Sequence, residues 1–126
     1  MASYSALKGQ VESAMQRSIG GHNIVTTVAR RAAQSPISEP LAFGLAVLSQ
    51  EGRIADPSTF ESGWTSPVGP EVSPWQIHPR WHSAFVNRTP VTDFPAYTDY
   101  AYGMLERGYE QGGGSHTQAA LRYNSG

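Results

Sequence analysis

The sequence contains no cysteine, which excludes disulfides, thiolate-bound metals and cysteine nucleophiles. Lysine is nearly absent too: Lys8 is the only one, and arginine supplies the remaining cationic side chains. The nine basic and ten acidic residues are scattered and leave a net charge of −1. That distribution argues against nucleic acid as a partner, since a nucleic-acid surface needs clustered basic residues. No apolar run reaches a membrane-spanning length, and "LAFGLAVLS" has the size of a core helix, so no integral membrane segment is expected. The opening "MASYSALKGQVESAMQRS" lacks the basic-then-apolar order of a signal peptide. Phosphate loops of the GxxxxGK[ST] and GxGxxG types, the GxSxG elbow and the HExxH zinc pattern are all missing.

What is present is a modest apolar fraction of 39% in 126 residues, enough for one domain with one core. Apolar residues at spacings of three and four predict helices over 5–19 (Leu7, Val11, Ala14, Met15, Ile19), 24–33 (Ile24, Val28, Ala32) and 93–111 (Phe94, Tyr97, Ala101, Met104, Leu105, Tyr109). Gly20-Gly21 is expected to end the first of these, and Gly112-Gly113-Gly114 the last. Pro40 suits the first turn of a helix that carries "LAFGLAVLSQE", with Gly52 as a left-handed cap beyond it. Between Ala55 and Pro74 lie four prolines and two glycines, the signature of a long irregular loop or a small β-hairpin. A short helix is expected at or after Pro79, and Ser115 or Thr117 can cap a final one. The class is therefore mainly α: one domain over 1–126, with an N-terminal helical segment (1–39) and a core (40–126).

Few constellations hold chemistry. His78 and His82 are four apart, but Pro79 opposes a shared helix face, so no metal site and no cofactor are expected. Glu12, Glu39, Glu61, Glu106 and Glu110 sit in polar contexts typical of solvated carboxylates. Glu51 differs, because it closes an apolar run. At the end of a helix it meets the negative end of the macrodipole, and packing against that run would desolvate it. Both effects raise a carboxyl pKa, as a proton donor near neutral pH requires. The alternative is a helix-end glutamate turned to water.

Three short segments bear on that choice. "LSQEGR" around Glu51, "SPWQIHP" over Ser73–Pro79 and "AALRYNSG" over Ala119–Gly126 resemble, in order, three motifs of the lytic transglycosylases. The helix "YTDYAYGMLERGYEQGGG" also looks like the one that precedes the family's last motif. The resemblance covers roughly Leu41 to Gly126 and is nearest to the small members found in phage particles and in secretion or conjugation machines. It departs at Gly52, where the family usually has serine, and at Pro74-Trp75, where it usually has Leu-Met.

The resemblance implies a lysozyme-like fold and cleavage of peptidoglycan. Glu51 matches the catalytic acid, which protonates the bond between N-acetylmuramic acid and N-acetylglucosamine. It then serves as base for attack by the sugar's own C6 hydroxyl, giving a 1,6-anhydro end. Gln76 matches the groove-facing glutamine, Tyr123 the tyrosine beside the acid, and Asn124 the asparagine of the groove floor or a helix cap. Trp64, Trp75 and Trp81 are candidate sugar platforms, at least one of them expected in the core. The implied partner is the peptidoglycan glycan strand, met in the periplasm or at the cell wall. Delivery with a phage particle or through a secretion or conjugation apparatus is implied as well. Two alternatives remain open. One is a hydrolytic muramidase in which Asp56, Glu61 or Glu71 supplies a second carboxylate. The other is an inactive glycan-binding or assembly module, for which Gly52 is the main support.

Overall fold

The computed structural model describes residues 18–52 and 71–125. Among them a two-strand hairpin, β1 (Ser18–Ile19) and β2 (His22–Asn23), leads into five helices: α1 (Ile24–Ala32), α2 (Pro40–Gly52), α3 (Ser83–Arg88), α4 (Phe94–Gln111) and α5 (His116–Ser125). The class is mainly α, as the sequence predicts, and no described helix is long and apolar enough to cross a membrane.

The start of the chain is the clearest correction. Ile19 does not end a helix; it lies on β1, paired with His22, fully buried. Gly20 and Gly21 have φ of +54° and +81°, so they form the two-residue turn of an antiparallel hairpin. The stripe Leu7, Val11, Ala14 and Met15 lies outside the described residues. Gly52 is a second correction: it is the last residue of α2, not a cap beyond it.

Helix starts follow local chemistry. Asn23 accepts from the Thr26 N–H (2.9 Å), Asp93 from the Ala96 N–H (3.2 Å) and Ser115 from the Gln118 N–H (3.1 Å), each satisfying an orphan donor. Pro40 opens α2 and Gly112 closes α4. Gly113 and Gly114 then reverse the chain with φ of +72° and +79°.

The predicted stripe of α4 is buried at Phe94, Tyr97, Ala101 and Leu105, with Met104 and Tyr109 packed at its margin. Thr98 and Tyr102 are fully buried as well, so α4 is covered on more than one side. It packs on α1 and on α5. Arg31 of α1 joins them by two hydrogen bonds to Glu106 (2.8 and 2.9 Å) and one to Asp99 (2.6 Å). Burial pushes the Glu106 carboxyl up, yet the Arg31 hydrogen bonds, helped by Ser35 and the charges of Arg31 and Arg107, hold it below the usual range.

Tyr102 crosses from α4 to α2, where its hydroxyl donates to the Pro40 carbonyl (2.7 Å) over the face of Gly44. A methyl group built on Gly44 would overlap that hydroxyl. Gly44→Ala is therefore expected to destabilise the fold by about 1–3 kcal/mol through overpacking. Urea unfolding checks this, and a gain in stability, as helix propensity alone would give, would contradict it.

Candidate functional site

Glu51 occupies the last turn of α2, a turn without any basic residue to offset the helix end. It is half-buried. Burial raises its carboxyl above the usual range, and the charge of Glu71 raises it further. Both causes favour the protonated acid. Glu71 stands immediately before a tight loop, and it brings a second carboxylate into electrostatic range of the first.

That loop is the "SPWQI" segment. Val72 and Ile77 exchange both backbone hydrogen bonds (2.9 Å each), closing a four-residue connection over Ser73–Gln76. Ser73 and Gln76 have φ of +65° and +55°, in the left-handed region that non-glycine residues seldom occupy. Hydrogen bonds hold them there. The Ser73 Oγ accepts from the Trp75 N–H (2.9 Å), and the Ser73 carbonyl accepts from both the backbone N–H and the Nε2 of Gln76 (2.9 Å each). Backbone held in this way is characteristic of places where side chains must be aimed. One Gln76 amide N–H is thereby used within the loop, leaving its carbonyl oxygen and second N–H for a ligand.

Trp75 anchors the loop. It is fully buried, its Nε1 donates to the Thr98 hydroxyl (2.9 Å), and it meets Tyr102 edge-on with ring centroids 6.0 Å apart. Of the three tryptophans, Trp75 is thus core. Trp81 is 62% exposed, with the Arg80 guanidinium 4.9 Å from its ring centroid and His78 close by. Trp64 lies outside the described residues.

Tyr123 arrives from α5. It is buried, and its hydroxyl donates to the carbonyl of Trp75. Burial pushes that hydroxyl well above its ordinary pKa, and the charge of Glu51 adds to the effect. The hydroxyl proton is thus committed to the loop. Asn124 follows on the last turn of α5, its side chain outside the described residues, as are Asp56 and Glu61.

The beginning of α5 is fixed against the beginning of α2. His116 bonds the Ser38 carbonyl (2.7 Å) and its ring lies 4.7 Å from that of Phe43. The end of α5 thus meets the Ser73–Gln76 loop, and the charge of Glu51 at the end of α2 is felt at Tyr123.

The histidines do other work. The His78 Nδ1 accepts from the Arg80 N–H (3.1 Å), while the His82 Nδ1 and the Tyr100 hydroxyl are 2.7 Å apart in a hydrogen bond. Tyr100 in turn stacks on Phe85 at 4.0 Å. Among the described residues no three histidine, cysteine, aspartate or glutamate side chains are grouped as a metal would need.

Sequence reasoning did not find the contribution of Thr98, a polar residue outside the predicted apolar stripe of its helix. Nor did it mark the strained backbone of Ser73 and Gln76, since no glycine advertises it. No protein-family model, no curated protein and no solved structure shows significant similarity to this chain.

Proposed function

We propose that this protein is a peptidoglycan lytic transglycosylase of lysozyme-like fold in which Glu51 is the catalytic acid and then the base. The observation that carries the reading is the half-buried Glu51 at the end of an apolar helix, its carboxyl raised by burial and by Glu71. The Tyr123 hydroxyl bound to the Trp75 carbonyl, with the Glu51 charge acting on it, adds support, as does the resemblance of the three segments that carry these residues. In this mechanism Glu51 protonates the glycosidic oxygen. The resulting carboxylate then takes the proton of the muramic acid C6 hydroxyl as its oxygen closes on C1. The carboxyl ends the cycle protonated, and no water is consumed. The Gln76 carbonyl oxygen receives a sugar hydroxyl or acetamido N–H, and Tyr123 helps to set the position of the acid by holding the neighbouring loop. Trp81, with one side toward Arg80, offers an exposed ring on which a sugar can stack.

The proximity of Glu71 favours one second reading, hydrolysis with Glu71 as the base that activates water. Glu71→Gln separates the two. With Glu71 as a neighbouring charge only, its loss lowers the Glu51 pKa. The rate should then persist at acid pH and decline at a lower pH than in the wild type. With Glu71 as the base, the variant would be inactive at every pH. A pH–rate profile of muropeptide release from purified sacculi decides. The expected result is the shifted alkaline limb, and loss of activity throughout would contradict the one-carboxylate mechanism. Delivery with a phage particle or through a secretion or conjugation apparatus, and action at the cell wall, belong to this reading. An inactive glycan-binding module is the outcome if sacculi retain the protein but nothing is released.

A further inference from the structure

Trp75 has three polar groups, and each is held by a different residue. Its backbone N–H donates to the Ser73 hydroxyl (2.9 Å), and its carbonyl accepts from the Tyr123 hydroxyl of α5. Its indole Nε1–H donates to the Thr98 hydroxyl of α4 (2.9 Å). Ser73, Trp75 and Thr98 are fully buried, and Tyr123 is buried as well. Four residues beyond Thr98, on the same face of α4, lies Tyr102. Its ring meets Trp75 edge-on, and its hydroxyl donates to the Pro40 carbonyl at the start of α2. One face of α4 therefore holds the loop through Thr98 and α2 through Tyr102. Apolar packing is non-directional, whereas a hydrogen bond weakens steeply as its angle closes. The bond to Thr98 thus fixes the orientation of the indole, and with it the backbone carbonyl that receives Tyr123.

We infer that Thr98 is a positioning residue for the candidate acid: by holding the Trp75 indole it sets where Glu71 and the Tyr123 hydroxyl stand relative to Glu51. The inference rests on the proposed function and deepens it. Glu71 directly precedes Val72, whose pairing with Ile77 closes the loop, so a displaced loop moves Glu71 with it. The charge of Glu71 helps to raise the Glu51 carboxyl, and the charge of Glu51 is in turn felt at Tyr123. Without the Thr98 hydroxyl the buried indole N–H loses its acceptor, a costly state that favours turning the ring and shifting the loop.

The test compares Thr98→Val, which keeps the shape and removes the acceptor, with Thr98→Ser, which keeps the hydroxyl and removes a methyl group. The Glu51 carboxyl is titrated by NMR in the full chain of each. Thr98→Val is expected to move it down toward the ordinary glutamate value of about 4.3, and Thr98→Ser to titrate like the wild type. The alkaline limb of muropeptide release should follow the carboxyl to lower pH in Thr98→Val, with the maximal rate reduced by about 10–10²-fold, and Thr98→Ser should restore both. Trp75→Phe removes the donor of the same bond and is expected to displace Glu51 in the same direction, which supplies the test if Thr98→Val does not fold. Lower thermal stability with an unmoved Glu51 titration would overturn the inference, leaving Thr98 a structural residue only. Equal displacement by valine and serine would overturn it too, because volume and not the hydrogen bond would then set the loop. The titration does not depend on turnover. Glu51 displaced by valine and restored by serine, with no muropeptides released by the wild type, would uphold the role of Thr98 and contradict the catalytic role of Glu51.

Discussion

Glu51→Gln is expected to lower muropeptide release by about 10²–10⁴-fold, the range that positioned proton transfer supplies. The amide keeps the size of the side chain and its place at the end of α2, but it has no proton to give to the glycosidic oxygen. Its effect on stability should run the other way. Burial and the Glu71 charge raise the Glu51 carboxyl in the folded state, so folding favours the protonated form. The stability this confers is present below the ordinary glutamate pKa of about 4.3 and is lost as pH rises through the raised folded value. Glutamine undergoes no such loss. Relative to the wild type, the variant should therefore become more stable as pH rises from acid to neutral, as thermal unfolding across that range would show. A variant equally active on sacculi, or one that loses relative stability toward neutral pH, would contradict the assigned environment.

Trp75→Ala is expected to cost about 3–5 kcal/mol, the range for deleting a large buried aromatic side chain. That is a large share of the 5–15 kcal/mol typical of a whole domain. The indole is fully buried, and its removal leaves the buried Thr98 hydroxyl without the donor at 2.9 Å and Tyr102 without its edge contact. The consequence reaches the site through the backbone. The Trp75 carbonyl receives the Tyr123 hydroxyl, so a loosened loop frees the tyrosine beside Glu51. Trp75→Phe keeps a ring in place and removes less buried volume along with the Nε1 donor, so its cost should be smaller and its fold retained for kinetics. Urea unfolding of both variants checks the order. A Trp75→Ala protein within about 0.5 kcal/mol of wild type, as for a surface substitution, would contradict the anchoring role.

Much of the helical framework is legible in the sequence because its signals are local. Asn23, Asp93 and Ser115 are capping residues next to apolar stripes, and Pro40 opens a helix where its missing N–H is harmless. The apolar spacing of Ile24, Val28 and Ala32 names the buried face of α1 directly. At Gly20-Gly21 the sequence reads as a helix end, whereas paired glycines can equally turn two strands. Spacing alone favours the helix, whereas the pairing of Ile19 with His22 and the burial of Ile19 decide for the turn. Tyr102 and Thr98 illustrate a different limit. Their burial depends on Gly44 and Trp75, residues distant in sequence, and no periodicity within α4 encodes such partners.

The candidate site divides in the same way. The position of Glu51 after an apolar run is visible in the sequence, and so is the desolvation that follows from it. The effect of Glu71 on it is not, because the residues between them give no spacing rule. Tyr123 is visible only through the resemblance of "RYNSG" to a motif. The structure adds what its hydroxyl does: it donates to the Trp75 carbonyl and so couples α5 to the loop, not to the acid directly. Gln76 reads as a polar side chain free for sugar, whereas one N–H of its amide is spent on the Ser73 carbonyl. Strained backbone at Ser73 and Gln76 has no sequence signature here, because side-chain and backbone hydrogen bonds, not glycine, stabilise it.

The most direct test of the account is the mass of the muropeptides that the wild-type protein releases from purified sacculi. Attack by the C6 hydroxyl, with Glu51 as the one essential carboxylate, predicts products with anhydro ends, each lighter by one water than its hydrolytic counterpart. Products of the hydrolytic mass would contradict the account and require a second group that activates water.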